Sequence, residues 1–264
     1  MAPRMTGDGI VLSNDVTLIR QFVVGTLTAQ QGTNEFQRID SAPFATQGDG
    51  IIAANDVQQT RRYATGIDPL TAAGGPLAPA PIVFEAFKDR PSYGGSFLRS
   101  LRLVMKEPTS LDSRRVLVEL TPVGNETALN FTLNYDPQVL THPHVELAKG
   151  LPTDVTLTTN TGGKGYLKVL IDGSGPLALS NDPLTIVTIT FDLVKDAPNG
   201  ETVLDFDPMP GANCVSDGLG EFLDLNYYGT SLLIGEPVLI GQTPSNALRP
   251  TERITRPAVR NARE

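Results

Sequence analysis

Asp8 and Asp15 flank a tight turn in Gly7-Asp8-Gly9-Ile10-Val11 followed by Asn14-Asp15-Val16, and the arrangement returns 41 residues later. The second copy reads Gly48-Asp49-Gly50-Ile51-Ile52 and then Asn55-Asp56-Val57, followed by Arg61, Tyr63 and Gly66 where the first has Arg20, Phe22 and Gly25. Even Ala2-Pro3 recurs as Ala42-Pro43, one residue out of step. Carboxylates at fixed offsets around a glycine turn, with a backbone carbonyl between them, supply the hard oxygens that calcium prefers. Two such copies imply a pair of calcium loops, a binding module and not an active site.

Placing Asp8 and Asp49 at the fifth position of a calcium loop puts Gly9 and Gly50 at the sixth. The carbonyls of Ile10 and Ile51 then fall at the seventh position, and Asp15 and Asp56 at the last. The first and third positions fall on Arg4 and Thr6, and on Ala45 and Gln47, which makes a plain loop short of ligands. Asp40, just before Ser41-Ala42-Pro43, supplies the missing first ligand of a lengthened second loop. In the first copy the matching position would precede Met1, which implies a longer precursor or a weaker first loop. The expected ligands are therefore Asp8, Ile10, Asp15, Asp40, Asp49, Ile51 and Asp56, and the expected cofactor is Ca2+. The alternative for the same residues is a pair of helix-capping turns without metal.

Each loop must lead into a helix. Val16, Ile19, Phe22 and Val23 repeat at helical spacing over 13–24, with Ser13 or Asn14 as the cap and Gly25 as the stop. The second helix, 54–65, is expected to be capped by Asn55 and stopped by Gly66. Val57, Thr60, Tyr63 and Ala64 lie on one side of it, and Gln58, Gln59, Arg61 and Arg62 on the other. Both are too short to stand alone and must pack together. From Pro69 the composition turns to Pro, Ala and Gly, which marks a linker. Beyond it the period changes to two. Val116 to Leu120, Phe131 to Tyr135, Tyr166 to Ile171, Val187 to Phe191, Val203 to Phe206 and Ser231 to Ile234 read as strands of a sandwich with eight or nine strands in all. The division is thus 1–68 calcium-binding module, 69–97 linker and lead-in, 98–240 β-sandwich and 241–264 tail.

Composition narrows the function. The net charge of -8 argues against nucleic acid, and the sequence contains no stretch long and apolar enough to span a membrane as a helix. The tail is the exception in charge, with Arg249, Arg253, Arg256, Arg260 and Arg263 against Glu252 and Glu264. The single cysteine, Cys214, excludes an internal disulfide framework and reads as a small buried hydrophobe. His142 and His144, the only histidines, read as a loop without a third metal ligand. Asp217, Glu221 and Asp224 read as a solvated turn, with a further calcium site as the alternative, and Asn125 and Asn130 head glycosylation-type triplets, a pattern frequent by chance. No nucleophile elbow, phosphate loop or triad order is present, so no enzyme activity is expected.

An Asp at the last loop position, followed by one helix in each of two copies, resembles dockerin repeats over about residues 1–66. The strand ending in Leu133-Asn134-Tyr135-Asp136-Pro137-Gln138-Val139-Leu140 resembles cohesin domains, and the likeness extends over about 98–235. The fold expected is therefore mainly β, a jelly-roll β-sandwich that is cohesin-like, with a small α-helical N-terminal dockerin-like module. Dockerins and cohesins are partners, so the resemblance implies a recognition surface made of Ser13, Asn14, Arg20, Ala54, Asn55, Arg61 and Arg62.

Plug and socket in one polypeptide imply a non-catalytic, extracellular or cell-surface structural protein. Such a chain would bind itself head to tail through calcium-stabilised contacts, and a contact that does not close on itself builds a filament. Three alternatives stand beside it. The plug can fold back on its own sandwich. It can engage another cohesin- or dockerin-bearing protein, making the chain an adaptor or adhesion module. The sandwich can instead bind polysaccharide, against which stands the absence of tryptophan.

Overall fold

The structure, a computed structural model, describes residues 10–77, 99–106, 112–178, 182–209 and 212–235. Asp8, most of the linker and the tail 241–264 lie outside the described residues.

The N-terminal part forms three helices, α1 (Ser13–Val23), α2 (Asn34–Ile39) and α3 (Ala54–Ala64). The caps differ from the sequence reading. Neither Ser13, Asn14 nor Asn55 caps a helix; the cap residues are Leu12 and Ala53. Asp15 and Asp56, three residues on, accept the Leu12 and Ala53 backbone N–H groups at 2.9 and 2.8 Å. An aspartate reaching back from the first turn thus does the work expected of a capping side chain. Gly25 and Gly66 end the long helices at φ +72, with their N–H groups on the Phe22 and Tyr63 carbonyls. Helix α2 has no counterpart in the sequence reading. It is a single short segment capped by the Thr33 hydroxyl, which accepts from Phe36 N–H.

Among the described residues eleven strands follow, more than the eight or nine expected. They are β1 (Ser100–Lys106), β2 (Ser113–Thr121), β3 (Ala128–Asn134), β4 (Leu140–Leu147), β5 (Thr156–Asn160), β6 (Tyr166–Asp172), β7 (Leu184–Leu193), β8 (Gly200–Phe206), β9 (Cys214–Ser216), β10 (Asn226–Tyr228) and β11 (Thr230–Ile234). One sheet has the order β10-β1-β2-β7-β4, the other β11-β8-β3-β6-β5 with β9 beside β3. All pairs are antiparallel except β1 with β10. Five of the six strands expected from sequence lie within β2, β6, β7, β8 and β11, and the sixth, Phe131 to Tyr135, runs one residue past the end of β3. His142 and His144 correct the loop reading, since both sit in edge strand β4. A register shift between Thr141 and His144 lets Pro143 into the strand without a ladder partner.

Alternate residues of the facing strands fill the space between the sheets. Val116, Val118 and Leu120 of β2 and Ile189 and Phe191 of β7 meet Leu129, Phe131 and Leu133 of β3 and Leu167, Val169 and Ile171 of β6. Phe131 stands edge-on to Phe206 with ring centroids 5.7 Å apart. A second apolar cluster lies outside this sandwich. Val16, Ile19, Phe22, Val23 and Val57 of the helices pack with Ala128, Leu170 and Cys214 of the second sheet. That sheet is therefore covered on one face by the first sheet and on part of the other by the helices, giving three layers: sheet, sheet, helices. Cys214 lies in the second seam, where burial pushes its thiol well above the ordinary range.

Truncation of an enclosed ring gives a direct check on this core. Phe131→Ala should lower the stability of the sandwich by about 3–5 kcal/mol, read from the midpoint of urea unfolding.

Candidate functional site

The seam between helices and second sheet is built on ion pairs and backbone contacts. Arg20 from α1 and Arg61 from α3 occupy equivalent positions in the two repeats, and both reach Asp172 at the end of β6. Arg20 donates from Nε and Nη2 to the two carboxylate oxygens at 2.9 and 2.8 Å, and Arg61 donates from Nη2. Asp172 is fully buried, while the arginine side chains keep 17% and 19% of their exposure. The Thr156 hydroxyl adds a fourth donor at 2.8 Å. Burial lowers the Arg61 pKa, and the Asp172 carboxylate opposes that shift.

The remaining contacts are made by α3. Its Ala54 N–H donates to Asn130 Oδ1 of β3 at 2.8 Å. Gln58 Nε2 donates to the Thr127 and Gly173 carbonyls, and Arg62 Nη1 to the Gly218 carbonyl. Helix α1 is held at its far end, where Asn160 Nδ2 donates to the Val24 carbonyl at 3.0 Å.

Of the seven expected recognition residues, Arg20, Ala54, Asn55, Arg61 and Arg62 lie at or beside this seam, but Ser13 and Asn14 are exposed. Gln58 and Gln59, expected on a polar side of α3, are buried because the helix is enclosed by α1 and the sheet. Arg62 spends most of its donors on Asp68, with contacts of 2.7 and 2.8 Å. The Asn130 triplet is a chance match. Its amide is buried and donates to the Ala212 carbonyl, so it is no exposed glycosylation site.

Asp172, Asn130 and Asn160 were missed. Asn130 alternates with core leucines as a solvent-facing residue would, and Asp172 ends a strand like an ordinary turn acid. Their only sequence signal was the repeat itself, which places two arginines without naming a receptor.

Behind the seam lie Asp40, Asp49 and Asp56. Asp40 accepts the Asp49 and Gly50 N–H groups at 3.0 and 2.7 Å. Gly48, at φ +124, lets the chain pass there, because an added Cβ would stand 2.6 Å from the Asp40 carbonyl. Asp56 accepts from Ser41, Ala42 and Ala53, and Asp49 from Ile51.

Burial raises Asp40 to about 6, opposed by its two backbone donors. Burial raises Asp49 to about 7, with the charge of Asp40 adding to the shift, and lifts Asp56 well above the usual carboxylate range. Asn55, fully buried and close enough to Asp49 to favour its ionised form, has an amide oxygen and nitrogen without hydrogen-bond partners among the described residues. Gln59 Oε1, Arg61 Nη1 and Ser216 Oγ along the same helix and its neighbouring hairpin are likewise unpaired there.

Mutually repelling buried carboxylates beside an unpaired amide oxygen are a donor set whose chemistry fits a hard divalent cation. Their oxygens nevertheless serve backbone N–H groups, and among the described residues no three His, Cys, Asp or Glu side chains converge as a metal shell. In the first copy Ile10 is exposed and Asp15 reaches back to cap the helix start at Leu12 N–H. Asp217 forms a turn, accepting the Leu219 and Glu221 N–H groups.

No family model matches the chain, and no curated protein matches it. Solved structures similar to it include cohesins. They include the sixth cohesin of scaffoldin B from Acetivibrio cellulolyticus, in complex with the Cel5 dockerin, at 15% identity over 51% of this chain and 96% of that one, TM-score 0.44. CaCohA2 from Clostridium acetobutylicum is 16% identical over 52% and 92%, TM-score 0.43. A non-cellulosomal cohesin from the hyperthermophilic archaeon Archaeoglobus fulgidus is 15% identical over 52% and 91%, TM-score 0.41. These likenesses span about half of this chain, the sandwich part. The two-sheet fold rests on the strand order and register described above. Among the described residues no helix is long and apolar enough to cross a membrane, which says nothing of a β-barrel.

Two measurements probe the site. Asp172→Ala leaves two partly buried arginines without their partner and should cost about 3–5 kcal/mol, read by chemical denaturation with the helical signal followed separately. In chelator, Asp40 and Asp49 hold their protons more tightly folded than at their unfolded value of 3.8. Their contribution to stability is therefore fully present below about pH 4 and is lost as pH rises through about 6 and 7. Unfolding midpoints between pH 4 and 8 should show that fall, and Asp40→Asn with Asp49→Asn should flatten it.

Proposed function

We propose that this chain is a non-catalytic, extracellular interaction protein in which a dockerin-like plug, stiffened by calcium, docks on a cohesin-like socket in the same polypeptide. The observation that carries the reading is the convergence of Arg20 and Arg61, equivalent residues of two repeats, on the buried Asp172. Two arginines from a duplicated unit meeting one carboxylate on another unit is the arrangement of a recognition surface. Calcium would be held by Asp40, Asp49, the Ile51 carbonyl and Asp56 in the second loop, and by Asp8, Ile10 and Asp15 in the first. It would supply the countercharge that the buried carboxylates lack, and so favour their ionised form.

Closed within one chain, the contact makes a monomer. Exchanged between copies, the same residues join plug to next socket, a heterologous contact that propagates as a head-to-tail filament. The linker supports either form. About a dozen Pro-, Ala- and Gly-rich residues span on the order of 40 Å when extended. The local concentration favours the closed form until protein concentration rivals it.

Light scattering and negative-stain microscopy over a protein concentration series, in calcium and then in chelator, test this function. The expected outcome is filaments that lengthen with concentration in calcium and shorten in chelator. Arg20→Glu with Arg61→Glu should abolish them. Monomers of constant size under every condition would remove the filament, and the absence of calcium binding by calorimetry would remove the metal.

A further inference from the structure

The helices cover only part of the second sheet's outer face. Register places Glu201, Val203 and Asp205 of β8 on that face, with Ser231 opposite Val203 and Leu233 opposite Glu201 on β11. Asp205 stands opposite Asn134 of β3, which brings the strip to the middle of the sheet. Among the described residues no helix lies over it. Val203 is 61% exposed and Leu233 55%, and Met209, just beyond β8, is 63% exposed. These apolar side chains are interleaved with the acids Glu201, Asp205 and Asp207.

The strip runs into a groove of about 600 Å³ between the helices and the sheet, which Asp207 and Met209 line together with Phe22, Ile51, Tyr166 and Lys168. Lys168 is the basic residue of that lining, and it stands beside Gly25 at the end of α1. The surface is thus apolar, acidic and elongated, and it begins at edge strand β11.

The chain itself contains a segment of the opposite character. Residues 241–264 carry Arg249, Arg253, Arg256, Arg260 and Arg263, interspersed with Leu248, Ile254 and Val259. Pro244, Pro250 and Pro257 break helical periodicity and favour an extended run. In sequence the segment begins seven residues after Ile234, the last residue of β11, which borders the face in question. Crossing from β11 to β3 takes on the order of 10 Å at the usual strand spacing, well within the reach of an extended segment.

We infer that residues 241–264 of the same chain dock along the β8–β11 strip toward the groove. Leu248 and Ile254 would cover Val203, Leu233 and Met209, and the arginines would meet Glu201, Asp205 and Asp207. The short connection gives the segment a high effective concentration at its own strip. This docking is independent of the plug-and-socket reading and of calcium.

Limited trypsin digestion of the full chain tests it, with cleavage after Arg253 and Arg260 followed by mass spectrometry. Both bonds precede residues other than proline, so the enzyme can cut them when they are free. Two variants are compared with the parent chain: Glu201→Gln with Asp205→Asn, and Val203→Ser with Leu233→Ser. All four positions are exposed, and unchanged thermal midpoints would show that the sandwich is intact. The expected result is cleavage roughly tenfold faster in both variants, and in the parent chain at molar salt, with the same rates in calcium and chelator. Equal rates in all three proteins would overturn the proposal. Protection that grows with protein concentration, alongside a larger species in sedimentation velocity, would also overturn it, by assigning the strip to the tail of a second copy.

Discussion

One carboxylate organises the molecule. Asp172 sits at the end of a strand whose inner residues belong to the sandwich core, yet its side chain points to the other face and is completely buried there. A buried carboxylate is tolerable only with donors around it, and this one has Arg20, Arg61 and Thr156. The three come from α1, α3 and β5, so satisfying one charge fixes two helices and an edge strand at once. The apolar contacts of Leu170, Ala128 and Cys214 follow from that placement, because they surround the same end of the sheet.

The duplicated sequence is used unequally. In both copies an aspartate in the first turn closes the helix start, a glycine closes its end, and an arginine reaches Asp172. The rest diverges. The start of the second helix is pressed against β3 through Ala54, whereas the start of the first, with Ser13 and Asn14, faces outward. Near-identical units thus take different environments because the sheet beneath them has no matching symmetry: β9 and the hairpin after it stand beside α3 alone.

How legible this was depended on the range of the interaction. The glycine stops and the strands from Val116 to Leu120 and Val187 to Phe191 are local patterns, and they could be read directly. Strand β4 could not, because Pro143 and two histidines broke its alternation on an edge where pairing is one-sided. The cap was misassigned to Asn55 because Asp56 competes for the same role from inside the helix. Gln58 and Gln59 read as a polar face, and only the sheet's second covered side explains their burial. Asp172 was invisible for the same reason: nothing near it in sequence announces that two arginines more than a hundred residues earlier will converge on it.

The unpaired atoms of Asn55, Gln59, Arg61 and Ser216 set the order in which the fold comes apart. Each buried polar group without a protein partner subtracts on the order of 1–3 kcal/mol from the contact that encloses it. All four residues lie along α3 and the neighbouring hairpin, whereas the core between the sheets is made of apolar side chains. The helices are therefore expected to lift from the sheet before the sandwich opens, with their amide protons exchanging with solvent while those of β3 and β7 are still retained.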